Sequence, residues 1–439
     1  MSGGVILAAP ASGSGKTVVT LGLLRHLARA GHDIASAKAG PDYIDPSFHG
    51  AASGAPCLNL DPWAMRRGTL QGLVAQLERS AKHVICEGVM GLFDGGGKSA
   101  AGSTADLAAL TGWPVVLIVD ASGQGASAAA LVCGFAKHRP DITLSGVIFN
   151  RVSSARHRAI LEDALAAALP DLPVLGAVPR DEGLALPDRH LGLVPAGEHA
   201  ALDAFLDHAA AHVASAIDVA ALLAAAHPSS LPAATERVQP LPPLGRHIAV
   251  ARDAAFAFLY PAVLEGWMRG GAALSFFSPL ADEAPVAVAD AVYLPGGYPE
   301  LHADALAGNS AFIQGLRAAA GRQATIYGEC GGYMALGEAL IDGTGSRHRM
   351  AGLLPLVTSF AARRLHLGYR SCRLAAESPL GAAGALFRGH EFHYASIVSE
   401  GNAERLLEVA DVDGHPVGAA GLRVGSVMGS YLHLVDRAD

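Results

Sequence analysis

The 439-residue sequence is poor in charge, in aromatic residues and in cysteine. Charged residues make up 16%, against about 25% in an ordinary soluble chain. There is no basic excess: 32 Lys and Arg face 40 Asp and Glu, a formal net charge of −8. A general nucleic-acid binder carries a basic patch and a membrane-surface protein a polybasic segment, so neither nucleic acid nor membrane is an expected partner. The five cysteines (Cys57, Cys86, Cys133, Cys330, Cys372) form no CxxC pair, which argues against zinc and disulfide frameworks. Free thiols fit a reducing cytoplasm. The first residues have no basic segment ahead of an apolar one, so a signal peptide is not expected. No run of 18 uncharged apolar residues occurs. The alanine-rich stretch 201–226 is broken by Asp203, Asp207, His208, His212 and Asp218 and reads as amphipathic helices.

What the chain does have is 51% apolar residues arranged in short runs. Val5–Ala9, Val84–Cys86, Pro114–Val119 and Leu144–Phe149 read as buried parallel strands, alternating with helical patterns such as Thr17–Ala30 and Leu70–Ser80. A proline-rich segment, 227–245, interrupts the alternation. Strand-like runs then resume at His247–Ala251, Ala273–Phe277, Ala291–Leu294 and Ala324–Tyr327. The expected fold class is α/β, with two doubly wound α/β domains at 1–226 and 246–439 joined by a linker at 227–245.

The first strand runs into Pro10-Ala11-Ser12-Gly13-Ser14-Gly15-Lys16-Thr17 and then an apolar helix. Backbone N–H groups of Ser12, Gly13, Ser14 and Gly15 can cradle phosphates there, with Lys16 neutralising β/γ oxygens and Thr17 offering a hydroxyl to Mg²⁺. The strict pattern has Gly where this chain has Pro10, so the loop is a variant. Carboxylates follow two further strands: Asp42 and Asp45 in the turn KAGPDYIDP, and Glu87 and Asp94 in EGVMGLFDG. Ligands bind at such strand ends, so ATP with Mg²⁺ is expected, with Thr17, Asp42 and Glu87 as metal ligands. A single Asp in such a turn would as readily be a helix cap. Asn150, at another strand end, is a candidate for reading the purine edge.

The second half carries Gly328-Glu329-Cys330-Gly331-Gly332 between a strand and a helix. Small neighbours on a sharp turn would push the Cys330 side chain out of the sheet, and the helix dipole would favour its thiolate. His433, in GSYLHL, is the candidate base. Gly296 and Gly297, after strand Ala291–Leu294, could supply oxyanion-hole N–H groups together with Gly331.

The segments ASGSGKT, KAGPDYIDP, EGVMGLFDG, PRDEGLALPDRHLGLVPA, LPGGYPEL, YGECGGYMALG, RGHEFHYA and GSYLHL occur in this order along most of the chain. In them the sequence resembles the cobyrinate / hydrogenobyrinate a,c-diamide synthase family. The resemblance implies a dethiobiotin-synthetase-like ATP domain and a class I-type glutamine amidotransferase domain. The implied reaction is ATP- and glutamine-dependent amidation of the a and c acetate side chains of a corrin polycarboxylate. Cys330 would be the glutaminase nucleophile, His433 its activator, and Asp42, Asp45, Glu87 and Asp94 the acidic set of the synthetase site. The broader amidotransferase pattern has Glu two residues after the histidine, where this chain has Val435. What orients His433 is left open, with Glu391 and His393 nearby in the motif.

Free ammonia is mostly protonated at neutral pH, so an enclosed path between the two sites is expected. Lys38, Arg180, Arg189 and His190 are candidates to meet the anionic macrocycle. An Ala-, Gly- and Arg-rich composition favours the cobalt-free hydrogenobyrinic acid over cobyrinic acid. The competing readings are a synthase of a related tetrapyrrole such as Ni-sirohydrochlorin, and a P-loop switch ATPase with a non-catalytic amidotransferase-like domain. The sequence leaves a homodimer open.

Overall fold

The computed structural model describes residues 2–185, 188–189, 192–193, 196–198, 201–232 and 238–438. The chain divides into two units, Met1–Trp63 with Leu70–Glu236, and Ala64–Thr69 with Arg237–Asp439.

In the first unit the apolar runs become seven strands: β1 (Gly3–Ala8), β2 (Ile34–Ala39), β3 (Leu58–Leu60), β4 (His83–Glu87), β5 (Val115–Asp120), β6 (Leu144–Val152) and β7 (Val174–Pro179). They form one parallel sheet in the order β3-β2-β4-β1-β5-β6-β7. Residues of β1 and β5 are buried almost throughout, as a sheet covered on both faces requires. The helices are α1 (Lys16–Arg29), α2 (Asp45–Ser53), α3 (Arg67–Ser80), α4 (Thr104–Thr111), α5 (Ser127–His138), α6 (Ala155–Ala168), α7 (Leu202–Ala214) and α8 (Val219–Ala224). Helix α1 buries Val19, Leu23, Leu24 and Leu27, residues at helical spacing that form one face. It packs against α7, where a side chain on Gly22 would sit 2.6 Å from the Ala209 carbonyl oxygen. Two short strands, β8 (Asp188–Arg189) and β9 (Gly192–Leu193), pair with each other.

The second unit begins with the expected strands: β10 (His247–Ala251), β11 (Ala273–Phe277), β12 (Ala291–Leu294) and β13 (Thr325–Glu329), with α9 (Pro261–Arg269), α10 (Ala303–Gly308), α11 (Ser310–Gly321) and α12 (Gly331–Leu336). The remainder is mainly strand: β14 (Ala339–Ile341), β15 (Arg347–Arg349), β16 (Leu356–Ser359), β17 (His366–Leu374), β18 (Leu386–His393), β19 (Ser396–Glu400), β20 (Glu404–Ala410), β21 (Pro416–Val424), β22 (Val427–Ser430) and β23 (Leu432–Arg437). The main sheet has ten strands in the order β11-β10-β12-β13-β22-β21-β20-β17-β18-β23. Its first five are parallel and the rest antiparallel. The antiparallel half is absent from the sequence expectation, because these strands are joined by short hairpins rather than by helices.

Described residues of the proline-rich segment are bonded within the unit to which each belongs. Within the first unit, His227 bridges to Gly4, and Ser229 bonds Glu78 at 2.7 Å. Within the second, Pro240 accepts from the Arg437 amide and Pro242 from Trp267 Nε1.

Candidate functional site

In the first unit β1, β4 and β2 are neighbours, so the segments following them emerge side by side. Glu87 is in register with both Leu7 and Lys38. The turn after β1 carries Gly15 at φ +87°, a left-handed conformation that favours glycine. Gly15 caps α1 with no side-chain hydrogen bond, and the first turn has no acidic residue. The amides at this helix start therefore suit an anion. Ser12 and Gly13 are exposed, and the Ser14 hydroxyl closes the turn on the Ala11 carbonyl at 2.8 Å.

Behind the loop lies a buried polar set. Lys16 Nζ donates to the Met90 carbonyl at 2.8 Å, and the Thr17 hydroxyl donates to Glu87 Oε1 at 2.7 Å. Lys38 Nζ bridges Asp45 Oδ2 (2.6 Å) and Glu87 Oε1 (2.9 Å), while His49 Nε2 meets Glu87 Oε2 at 2.7 Å. Burial opposes ionisation of Glu87, but Lys38, His49 and Thr17 hold its carboxyl well below the usual range. Burial and the neighbouring Asp42 push Asp45 up to about 7 despite Lys38. Burial works against a charged His49, yet Cys57 and Glu87 raise it to about 10. Burial lowers Lys16. The site thus holds a proton on His49, a charge on Lys38, and an ionised Glu87 between them.

The expected residues fall into four groups. Lys16, Thr17, Asp45 and Glu87 come together, and Asp94 joins them through its charge on Lys16 and its bond from the Gly91 amide at 3.0 Å. Asp42 uses Oδ1 to accept the amides of Ile44 and Asp45 (2.8 and 3.2 Å) at the start of α2. Asn150 is engaged at both ends of its amide: Nδ2 donates to the Ser14 carbonyl at 2.9 Å and Oδ1 accepts from the Arg151 amide at 3.0 Å. It braces the phosphate loop, and a second N–H and a second oxygen lone pair of the amide remain beyond these two bonds. Of the macrocycle candidates, Lys38 is buried within the carboxylate set, because two anions compensate its desolvation there. Arg180 is exposed and pairs with Glu182 at 3.6 Å. The Arg189 side chain and His190 lie outside the described residues. Sequence reading missed His49; its signal was the i, i+4 spacing from Asp45, which puts both on one face of α2.

In the second unit Cys330 sits between β13 and α12 at φ +47°, ψ −102°. A non-glycine residue there costs about 1–3 kcal/mol and persists only where its surroundings fix it. Here the Cys330 amide donates to the Ser430 carbonyl at 2.8 Å. The thiolate expectation is corrected: α12 has only six residues, and burial, reinforced by Glu300, pushes the thiol up although the Gly331 amide faces it.

Gly296 and Gly297 follow β12, the neighbour of β13. A side chain on Gly331 would lie 3.0 Å from the Gly297 nitrogen, so the Gly297 amide lies against the residue that follows Cys330, while Gly296 is bridged to Phe258. His433, on β23, is fully buried. Its ring stacks on His390 at 4.9 Å and lies against Gly296. Burial, with His390 and His393 close by, holds its pKa well below the ordinary value. The structure also places Glu329 Oε2 3.9 Å from His433 Nδ1, a neighbour the sequence reading did not single out. Glu391 and His393 bond each other at 2.9 Å. With His366 they bring donor atoms within 4.8 Å. The two rings stack at 4.7 Å and 8°, so their in-plane lone pairs do not converge, and Arg370 forks onto Glu391 at 2.8 and 2.9 Å. That arrangement is an ion-paired cluster, not a metal cradle.

Comparison with known proteins gives a family for each half of the chain. Residues 5–194 match the CobQ/CobB/MinD/ParA nucleotide binding domain family, and residues 247–439 the CobB/CobQ-like glutamine amidotransferase domain family. The chain is 56% identical over 434 residues to the hydrogenobyrinate a,c-diamide synthase of Brucella anthropi, covering 99% of this chain and 98% of that one. It is 55% identical over 437 residues to the enzyme of the same name from Rhizobium meliloti (99% of both chains). It is 51% identical over 436 residues to that of Mesorhizobium japonicum, covering 99% and 98%. Among the described residues no helix is long and apolar enough to cross a membrane.

Proposed function

Since the chain belongs to the hydrogenobyrinate a,c-diamide synthase family, we propose that it amidates the a and c acetate carboxylates of a corrin macrocycle, consuming ATP and glutamine. The name shared by its relatives supports cobalt-free hydrogenobyrinic acid as substrate. The observation that carries the reading is the pairing, in one chain, of a phosphate loop backed by carboxylates with a strained cysteine turn and a buried histidine that both border the Gly296–Gly297 turn. Five free thiols support a reducing, cytoplasmic setting.

Glutamine hydrolysis falls to the second unit. The resting pair is a neutral thiol and a neutral imidazole, each set by burial. His433 takes the Cys330 proton as sulfur attacks the side-chain amide carbon. The amides of Gly297 and Gly331 face the oxyanion. His433 then returns the proton to the departing nitrogen, ammonia leaves, and water hydrolyses the γ-glutamyl thioester to glutamate.

Carboxylate activation falls to the first unit. A substrate carboxylate oxygen attacks the γ-phosphorus of ATP, ADP leaves, and Lys16 with the α1 amides balances the phosphoryl charge. Ammonia displaces phosphate from the acyl phosphate to give the amide. Thr17, Glu87 and Asp42 offer the hard oxygen donors that Mg²⁺ takes, and Thr17 and Glu87 already meet at 2.7 Å. Mg²⁺ held there would supply charge neutralisation to the nucleotide phosphates.

The test is Cys330→Ala assayed with glutamine and, separately, with ammonium. The expected result is loss of the glutamine-dependent reaction and retention of the ammonium-dependent one. Loss of both, or of neither, would refute the division of labour.

A further inference from the structure

We propose that Glu329 is the positioning residue for His433, so that the carboxylate of the glutaminase set comes from the residue just before the nucleophile. The inference rests on the glutaminase reading above and deepens it. Strand β23 supplies no carboxylate two residues after His433, because that position is Val435. Strand β13 supplies one instead: Glu329 Oε2 stands 3.9 Å from His433 Nδ1.

Three features make this an orienting group. Glu329 is 1% exposed, so water does not screen it. Each of its hydrogen bonds comes from a donor: Tyr293 OH to Oε2 at 2.8 Å, Tyr327 OH to Oε1 at 2.9 Å, and the Leu434 amide to Oε1 at 3.2 Å. Burial pushes its pKa up to about 7 and these donors oppose that rise; an acceptor-only setting suits the ionised form of the carboxylate. The Leu434 bond also ties Glu329 to the residue after His433, fixing β23 against β13.

The other polar groups near His433 have partners of their own. His390 Nε2 meets Tyr260 OH at 2.6 Å. Glu391 is held by Arg370 and His393, and His393 stacks on Tyr431 at 3.9 Å. A carboxylate beside Nδ1 keeps the proton on that nitrogen, leaves Nε2 to take the thiol proton, and stabilises the imidazolium that forms. Such contacts are often long before substrate binds and shorten in the working complex.

The test is Glu329→Gln, nearly isosteric and uncharged, beside Glu329→Asp and Cys330→Ala. For Glu329→Gln the glutamine-dependent kcat is expected to fall about 100-fold, the lower end of what positioned acid–base groups contribute. Its KM for glutamine should stay within about threefold of the parent, and its ammonium-dependent rate should be unchanged. Glu329→Asp, which restores the charge on a shorter arm, should recover about tenfold of the loss. A Glu329→Gln kcat within about threefold of the parent would overturn the assignment. So would an equal fall in the ammonium-dependent rate, or an Asp variant no faster than the Gln variant, since both would mark a packing role. If Cys330→Ala still used glutamine, the glutaminase reading itself would fall.

Discussion

A single methyl group at Gly296 tests the geometry of the thiol site. A Cβ there would lie 3.1 Å from Phe258 Cδ2, 3.3 Å from His433 Nε2 and closer still to His433 Cε1. Carbon–carbon contact wants about 3.5 Å or more, so the imidazole must retreat on the order of 1 Å. It has little room: His433 is fully buried and His390 stacks on it at 4.9 Å. Displacing a reacting group by about 1 Å costs roughly 100-fold in rate. Overpacking the core adds about 1–3 kcal/mol of destabilisation. Gly296→Ala should therefore lower the glutamine-dependent rate about 100-fold and leave the ammonium-dependent rate near the parent's. The assay is ADP release with each nitrogen source under saturating ATP and macrocycle, with a melting curve as control. A folded variant whose glutamine rate stays within about threefold of the parent would refute the placement of His433 as the working base.

Other substitutions probe the first unit. Glu87→Gln leaves buried Lys38 and His49 without their shared carboxylate, and breaking a buried pair costs about 3–5 kcal/mol; an unchanged melting temperature would contradict the network. His49 has a folded pKa of about 10 against an ordinary 6.5. Its protonation therefore stabilises fully below pH 6.5, and that stability is lost as pH rises toward 10. The melting difference between the parent and His49→Gln should be larger at pH 6 than at pH 9.5, and a difference that grew with pH would have the wrong sign. Lys16→Met should lower the ligase rate with either nitrogen source by about 100-fold or more, through lost phosphoryl-charge stabilisation. An electrophilic glutamine analogue should still label Cys330 in that variant, and loss of labelling would show a global defect.

Much of this molecule is legible in its sequence where local chemistry decides the structure. The strands His247–Ala251 and Ala291–Leu294 end where their apolar runs end, since buried parallel strands need continuous β-formers. The Gly15-Lys16-Thr17 turn and the glycine-flanked Cys330 are equally local, because each conformation demands small neighbours. Side-chain partnerships are not local. Lys38 reads as a free cation until β2 and β4 are paired in register, which brings it to Glu87. Asn150 reads as a strand-end amide until β6 is seen to brace Ser14. Glu329 was visible in the GECGG motif, but its meaning depends on β23 lying close enough for the Leu434 amide to reach it. The strands from β14 onward escaped because hairpins lack the helix-length spacing that marks a parallel crossover.

Double amidation of a corrin macrocycle is the reaction the two units would carry out together. The most direct measurement is the mass change of hydrogenobyrinic acid, run beside cobyrinic acid, on incubation with the protein, ATP and glutamine. Two acid-for-amide exchanges are expected on hydrogenobyrinic acid, dependent on ATP and on either glutamine with intact Cys330 or added ammonium. ATP hydrolysis with no exchange on either macrocycle would contradict it.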